Sequence, residues 1–391
     1  MNLTRRQVLA SFGAAGLLAL WPASATFANS PSDTRLLVVL LRGGMDGLHA
    51  LPVVADPEYQ RLRGRLHGDG PQPHLLDGTF GLHPKLDFMS ELYAQRQLLP
   101  IVAVAPPYRQ RSHFEAQDCV ENGTATPSGA RDGWMNRCVA SLPGSDALAV
   151  ASVMPLIMRG SATVETWSPP LSNEVNPILL QRLQTLYAAD PTLASAFEQT
   201  VAQASGEVAG GGDHRGGFQQ LMAAAAKFMS APNGPRIGFV EDSGWDTHSN
   251  EANVLDRKFA ELDGGLRAFH EGATTVWPKT MIAICTEFGR TVAVNGTGGT
   301  DHGVGTTAFL AGGAVNGGRI GGDWPGLKPK ELNENRDVRA TIDLRSVFRQ
   351  VLAEHLGIGP EALDRRVFPN SAALPHLPGP RLTAATIVRV G

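Results

Sequence analysis

Between Thr286 and Gly303 the chain sets Glu287, Arg290, Asp301 and His302 among five glycines, directly after the apolar run Met281-Ile282-Ala283-Ile284-Cys285. A buried strand that ends abruptly in charge and glycine reads as the carboxyl end of an α/β strand, where ligands bind. Upstream, Gly244-Trp245-Asp246-Thr247-His248 places an acid and an imidazole two residues apart after another short apolar run. Asp246, His248 and His302 together form an Asp-His-His set. Imidazole is a borderline ligand, so this set suits one Zn, Mn or Fe ion better than Ca or Mg. Asp301 is expected beside it, orienting His302.

Two further stretches carry groups of the same kind. Arg109-Gln110-Arg111-Ser112-His113 follows an apolar run and opens a helix. A serine there serves as an N-cap or, with the helix dipole, His113 and Arg111 beside it, as a nucleophile toward an anionic substrate. Arg42-Gly43-Gly44-Met45-Asp46-Gly47 follows the first apolar run. Its glycines allow a tight turn, and Asp46 is a metal ligand or a turn residue. Arg290 is the third cation, with Arg42 and Arg111, able to neutralise an anion or to pair with Glu287.

The elements that must position these groups alternate. Arg35–Leu41, Leu98–Val104, Leu148–Val153, Arg236–Val240, Met281–Cys285 and Thr307–Ala311 read as strands. Pro84–Gln95, His113–Glu121, Asp132–Leu142, Ser249–His270 and Asp343–Leu356 read as helices. The stripe Leu255, Phe259, Leu262, Leu266 and Phe269 has helical spacing and marks a core face rather than a cofactor box. Near-continuous apolar strands alternating with helices predict a mostly parallel sheet in an α/β/α sandwich. Residues 155–230 break the alternation, with helix-like runs at Pro177–Ala189, Leu193–Ala204 and Phe218–Met229, and are expected to form a helical insertion.

Residues 1–28 are expected to lie outside this fold. Thr4-Arg5-Arg6-Gln7-Val8-Leu9 leads into an apolar run to Trp21, with small-residue cleavage sites near Ala25 and Ala28. The run is too short to span a membrane. It reads as a twin-arginine signal, which implies the translocase as a transient partner and a periplasmic or secreted destination. The remaining chain, 33–380, is long enough for one large domain. Formal charge is −3 overall and −5 beyond residue 28, which gives no sign of a nucleic-acid surface. No later stretch is long and apolar enough to cross a membrane. No Gly-x-Gly-x-x-Gly or Walker lysine is present, so nucleotide binding has no support. Of the three cysteines, Cys119 and Cys138 either pair in an oxidising compartment or remain thiols, like Cys285 in its strand.

The segments RGGMDG, RSHFEAQD, GWDTHSNE, TEFGR, TDHG and FLAGGAVNGGRIGGDWPG resemble those of a bacterial family of twin-arginine-exported proteins catalogued as a domain of unknown function. That family is placed in the alkaline phosphatase/sulfatase/phosphoglycerate mutase superfamily. The resemblance implies an alkaline-phosphatase-like sandwich, with Asp46 as the acid after strand one and Ser112 as nucleophile. Two registers are possible: one equates Asp301-His302-Gly303 with the superfamily's Asp-His-Gly motif, and the preferred one makes Glu287 the acid after the strand Met281–Cys285 and His302 the final histidine. In the preferred register Phe288 stands where a metal-binding histidine would be. The first metal site would then keep only Asp46 and Glu287, and one metal is expected rather than two. Two functions follow as expectations. One is a metal-dependent hydrolase of phosphate or sulfate esters acting on a small anionic ester. The other is an exported binding or assembly protein that keeps the fold without catalysis and serves an unknown exported partner.

Overall fold

The computed structural model describes residues 33–67, 71–142, 144–169 and 217–384. The signal-like segment 1–28 and the helix-like runs 177–189 and 193–204 lie outside the described residues. Eight strands form the main sheet: β1 (Arg35–Leu41), β2 (Leu98–Ala105), β3 (Ala147–Val150), β4 (Glu165–Trp167), β5 (Ile237–Asp242), β6 (Thr280–Cys285), β7 (Thr306–Ala311) and β8 (Ile342–Asp343). Their order across the sheet is β8-β2-β7-β6-β1-β5-β3-β4.

β1 pairs in parallel with both β5 and β6, so the loops that leave these three central strands emerge side by side. β7 is antiparallel to its neighbours β2 and β6. The excursion from the end of β6 therefore returns to the same edge before β7 starts. The fold is mixed α/β on a large, mostly parallel sheet, as expected.

The strands are buried along their length because both faces are covered. Leu37, Val39 and Leu41 join one core cluster, and Leu36, Val38 and Leu40 join another. On the first face lie α2 (Asp87–Ala94), α5 (Gly217–Ser230) and α6 (Glu251–Gly272). The predicted stripe of α6, from Leu255 to Phe269, is fully buried there. On the second face lie α4 (Trp134–Ala140) and α7 (Leu344–Leu356), with Trp134 packed on Phe348 and Phe368. Two more helices matter for the site: α1 (Pro57–His67) and α3 (His113–Asn122).

Observed element boundaries fall within a few residues of the predicted ones. Two flanks of the stretch 155–230 are described. Glu165–Trp167 pairs with β3 as an edge strand, and α5 packs Phe218, Met222 and Met229 into the core. Cys119, Cys138 and Cys285 are buried thiols, with no disulfide among them.

Candidate metal centre

The chain's chemistry-bearing side chains gather at the carboxyl edge of the central strands. Asp246 and His248 follow β5, Glu287 and Arg290 follow β6, His113 opens α3 after β2, and Asp301 and His302 precede β7. The backbone is folded tightly to allow this. Gly43 has φ +122°, and a Cβ there would sit 2.5 Å from the Asp246 nitrogen. Only glycine allows this approach of the first loop to the third.

Three imidazoles converge. His302 Nε2 lies 3.0 Å from His113 Nε2 and 3.0 Å from His248 Nε2. Asp246 Oδ1 lies 3.2 Å from His302 Nε2 and 3.1 Å from His248 Nε2. Asp246 Oδ2 is 3.5 Å from His113 Nε2. His113, Asp246 and His302 can hold a metal ion between them, and His248 Nε2 stands beside them against His302 and Asp246.

The opposite nitrogen of each ring decides what these contacts are. His113 Nδ1 meets Glu287 Oε1 at 2.7 Å, His248 Nδ1 meets Asp301 Oδ1 at 3.2 Å, and His302 Nδ1 meets the Arg111 carbonyl at 3.0 Å. An oxygen with no hydrogen to give requires the ring to donate, so each Nδ1 carries its proton. In a neutral imidazole each Nε2 is then a bare lone pair. Lone pairs 3.0 Å apart repel unless a proton or a metal ion lies between them. Bonds of ~2.0–2.1 Å to one ion put neighbouring donors roughly 2.9–3.4 Å apart, which covers the 3.0–3.2 Å separations and falls just short of the 3.5 Å from Asp246 to His113. A donor set of imidazoles and a carboxylate suits Zn, Mn or Fe, and ligating histidines are typically held by an oxygen acceptor in this manner.

The rings of His113 and His302 shift in opposite directions. Burial pushes His302 below the ordinary histidine range, outweighing the lift from the Arg111 carbonyl, and keeps the ring neutral. The Glu287 hydrogen bond raises His113 against the effect of burial. Burial would raise Asp246, but the hydrogen bond and charge of Arg290 hold it below the usual carboxylate range. The side chains of Asp246 and His248 are 43% and 46% exposed, so the cluster opens to solvent.

Several sequence-based assignments change role here. Glu287, expected as a ligand, is fully buried and spent on others. Its carboxylate accepts from the Gly43 N–H, Gln117 and His113 and from the Thr286 hydroxyl. Asp301 orients His248 rather than His302. Asp46 is buried away from the cluster. It caps the short helical turn Gly47–Ala50 and pairs with Arg63 of α1, which also grips the Thr291 and Val292 carbonyls.

Arg290 is buried beneath the site, bonded to Asp246 and to the carbonyls of Gly43, Gly44, Trp245 and Thr300, and so braces the three loops. Arg42 is committed to Glu241, Glu121 and Gln117. Arg111 contributes its carbonyl to His302, while its guanidinium pairs with Glu334 and Asp337. Ser112 occupies the N-cap position of α3 without capping it. Phe288 lies against His113 and His302, with ring centroids at 4.6 and 4.8 Å.

Sequence reasoning missed Asp337. Its fully buried carboxylate accepts from the Val304 N–H, two residues past His302, and from Asn333 and Arg111. Beside it Arg336 donates to the His302 carbonyl at 2.7 Å. His302 is thus held at its ring through Arg111 and at its backbone through Arg336. An isolated Asp-Val-Arg triplet in a polar loop carries no pattern that would have found this.

A family model described as a protein of unknown function (DUF1501) matches residues 179–367. That span includes Asp246, His248, Glu287, Asp301 and His302 and stops short of His113. No curated protein matches the chain by sequence. Among solved structures, the chain is similar to Ps i-CgsB in complex with k-i-k-neocarrahexaose. The TM-score is 0.46 at 8% identity, over 83% of this chain and 72% of that one. It is also similar to the C-terminal periplasmic domain of EcEptC from Escherichia coli in complex with Zn, at TM-score 0.39 and 11% identity, over 86% and 87% of the two chains. A protein in the alkaline phosphatase superfamily from Vibrio parahaemolyticus matches at TM-score 0.39 and 12% identity, over 82% and 65%.

Proposed function

We propose that this protein is an exported hydrolase of phosphate or sulfate esters that works through one divalent transition metal held by His113, His302 and Asp246, with His248 beside them. The observation that carries the reading is the group His113, Asp246 and His302, in which both ring Nδ1 atoms face oxygen and both Nε2 atoms face each other. A metal at that point supplies Lewis-acid chemistry, polarising an ester oxygen or acidifying water. The chain's residues do the rest. Glu287 and Asp301 hold two rings and increase their basicity, and the Arg111 carbonyl holds the third. Arg290 keeps Asp246 ionised and aimed.

Ser112 is the nucleophile in this proposal. As the serine oxygen bonds to phosphorus or sulfur, the bond to the ester oxygen breaks and the departing alcohol takes up the serine's proton; water then cleaves the ester formed on Ser112 and restores its hydroxyl. The twin-arginine signal of residues 1–28 and the single-domain reading of 33–380 belong to the same proposal.

The test is elemental analysis of protein purified without chelator, followed by assay on aryl phosphate and aryl sulfate. The expected result is about one Zn, Mn or Fe per chain and turnover of one ester class that Ser112→Ala removes. Metal content near zero after metal-replete purification overturns it. A second reading, a binding or assembly protein without catalysis, draws on Arg42 and Arg290 being fully committed within the fold. Full metal loading with no turnover on either ester class decides for it.

A further inference from the structure

Beside the metal centre lies a cavity of about 180 Å³ whose walls include Arg109, Arg111, Arg339, Asn333, Glu334 and Val304. It is separated from the cluster by one peptide: the Arg111 carbonyl faces His302 while the Arg111 side chain lines the cavity. Val304 lies two residues past His302.

The charge on these walls is unbalanced. Three guanidiniums face one carboxylate, Glu334, and Arg111 already pairs with it at 2.7 Å. Neither Arg109 nor Arg339 forms an ion pair or side-chain hydrogen bond among the described residues. The acid nearest Arg109 in its electrostatics is Asp343, and Arg345 holds that carboxylate through both oxygens. Arg109 and Arg339 are both exposed to solvent at the cavity wall. The Arg111 Nε is buried without a partner. Structural arginines on this chain, such as Arg63 and Arg290, have every branch engaged. The cavity instead leaves donor forks unspent, with asparagine at its side, which is the chemistry that recognises tetrahedral oxyanions.

We propose that this arginine cavity binds a second anionic group of the substrate, a phosphate or sulfate remote from the ester cleaved at the metal centre. The substrate class is then a multiply anionic ester. The part about the substrate rests on the hydrolase reading, whereas the anion site stands without it.

The experiment uses the full mature chain after chelator treatment, titrated calorimetrically at low ionic strength with inorganic sulfate and, separately, inorganic phosphate. The wild-type chain is expected to bind at least one of the two. The double variant Arg109→Gln/Arg339→Gln is expected to lose about tenfold or more in that affinity, as removal of charged donors does, while binding the metal as before. Arg257→Gln, an exposed arginine of α6, serves as the control and leaves anion binding unchanged. Absence of anion binding by the wild-type chain, or binding that survives the double substitution, overturns the site. Because no metal and no turnover enter this titration, its failure is distinct from failure of the hydrolase reading. If an ester is turned over, KM for a bisphosphate or disulfate ester is expected to rise about tenfold in the double variant at unchanged kcat. A fall in kcat with KM unchanged overturns the assignment to substrate binding.

Discussion

Two clusters of ionisable side chains sit at the same edge of the sheet, and they are built to opposite ends. Asp46, Arg63 and Glu251 form one, fully buried. Its charges face each other. Arg63 pairs with Asp46, burial raises Glu251 to about 9 with the adjacent Asp46 charge adding to that, and the protonated Glu251 can share its hydrogen with Asp46. Burial works against Asp46 ionising as well, but Arg63 overcomes it and holds Asp46 well below the usual range. In the other cluster the Nε2 atoms of His113 and His248 both meet His302 Nε2, beside a partly exposed Asp246. Density of charge is the same signal in both. What separates a structural cluster from a binding one is whether the donors and acceptors satisfy each other or leave one kind facing itself.

The contrast can be broken from either side. The largest effect is expected from Arg63→Ala, which leaves Asp46 charged and buried. Stability in urea should fall by about 3–5 kcal/mol, while metal affinity of the remaining folded protein stays within twofold of wild type. A large loss of metal affinity would show that the two clusters act as one. Next comes His302→Ala, which removes the ring that both other imidazoles meet. Calorimetric Zn affinity should fall beyond the ~10–100-fold typical of losses outside the ligand shell, with little change in thermal midpoint of the metal-free protein.

Asp337→Asn is expected to act in the same direction but less. It weakens the frame around His302 without removing a ligand, and should cost about tenfold in Zn affinity. The visible spectrum of the Co-substituted protein should also change, a readout that loss of global stability alone would not alter. Affinity and spectrum like wild type would assign Asp337 to the loop and not to the site.

The smallest effect is a pH slope. Glu251 keeps its proton in the folded protein up to about 9 and releases it on unfolding at an ordinary 4.5. The folded state therefore binds the extra proton between these values, and stability falls as pH rises through them. The slope is at most about 1.4 kcal/mol per pH unit. Glu251→Gln, which mimics the protonated form, should flatten the midpoint-versus-pH curve between pH 7 and 8 and leave metal affinity alone. A steep slope that persists in Glu251→Gln would place the titrating group elsewhere.

The strands, the α6 stripe and the choice of edge were readable in the chain because hydrophobic period and strand-end charge are local properties. Asp246, His248 and His302 were readable as candidate ligands because residue type and loop position select them. His113 was noticed but given the role of a nucleophile's neighbour. Whether its Nε2 meets the cluster depends on Glu287, 174 residues away, taking its Nδ1 proton.

The same dependence set Glu287, expected as a ligand, behind His113, and set Asp301 behind His248 rather than His302. It also made Arg111 useful through its carbonyl rather than its charge, and hid Asp337 entirely. The sequence by itself determined which groups are available and on which edge they emerge, since both follow from residue type and short-range pattern. Only the tertiary structure decided which nitrogen of each ring is left bare. That is set by an acceptor on a different strand or loop, and it separates a metal-binding cluster from a set of buried ion pairs.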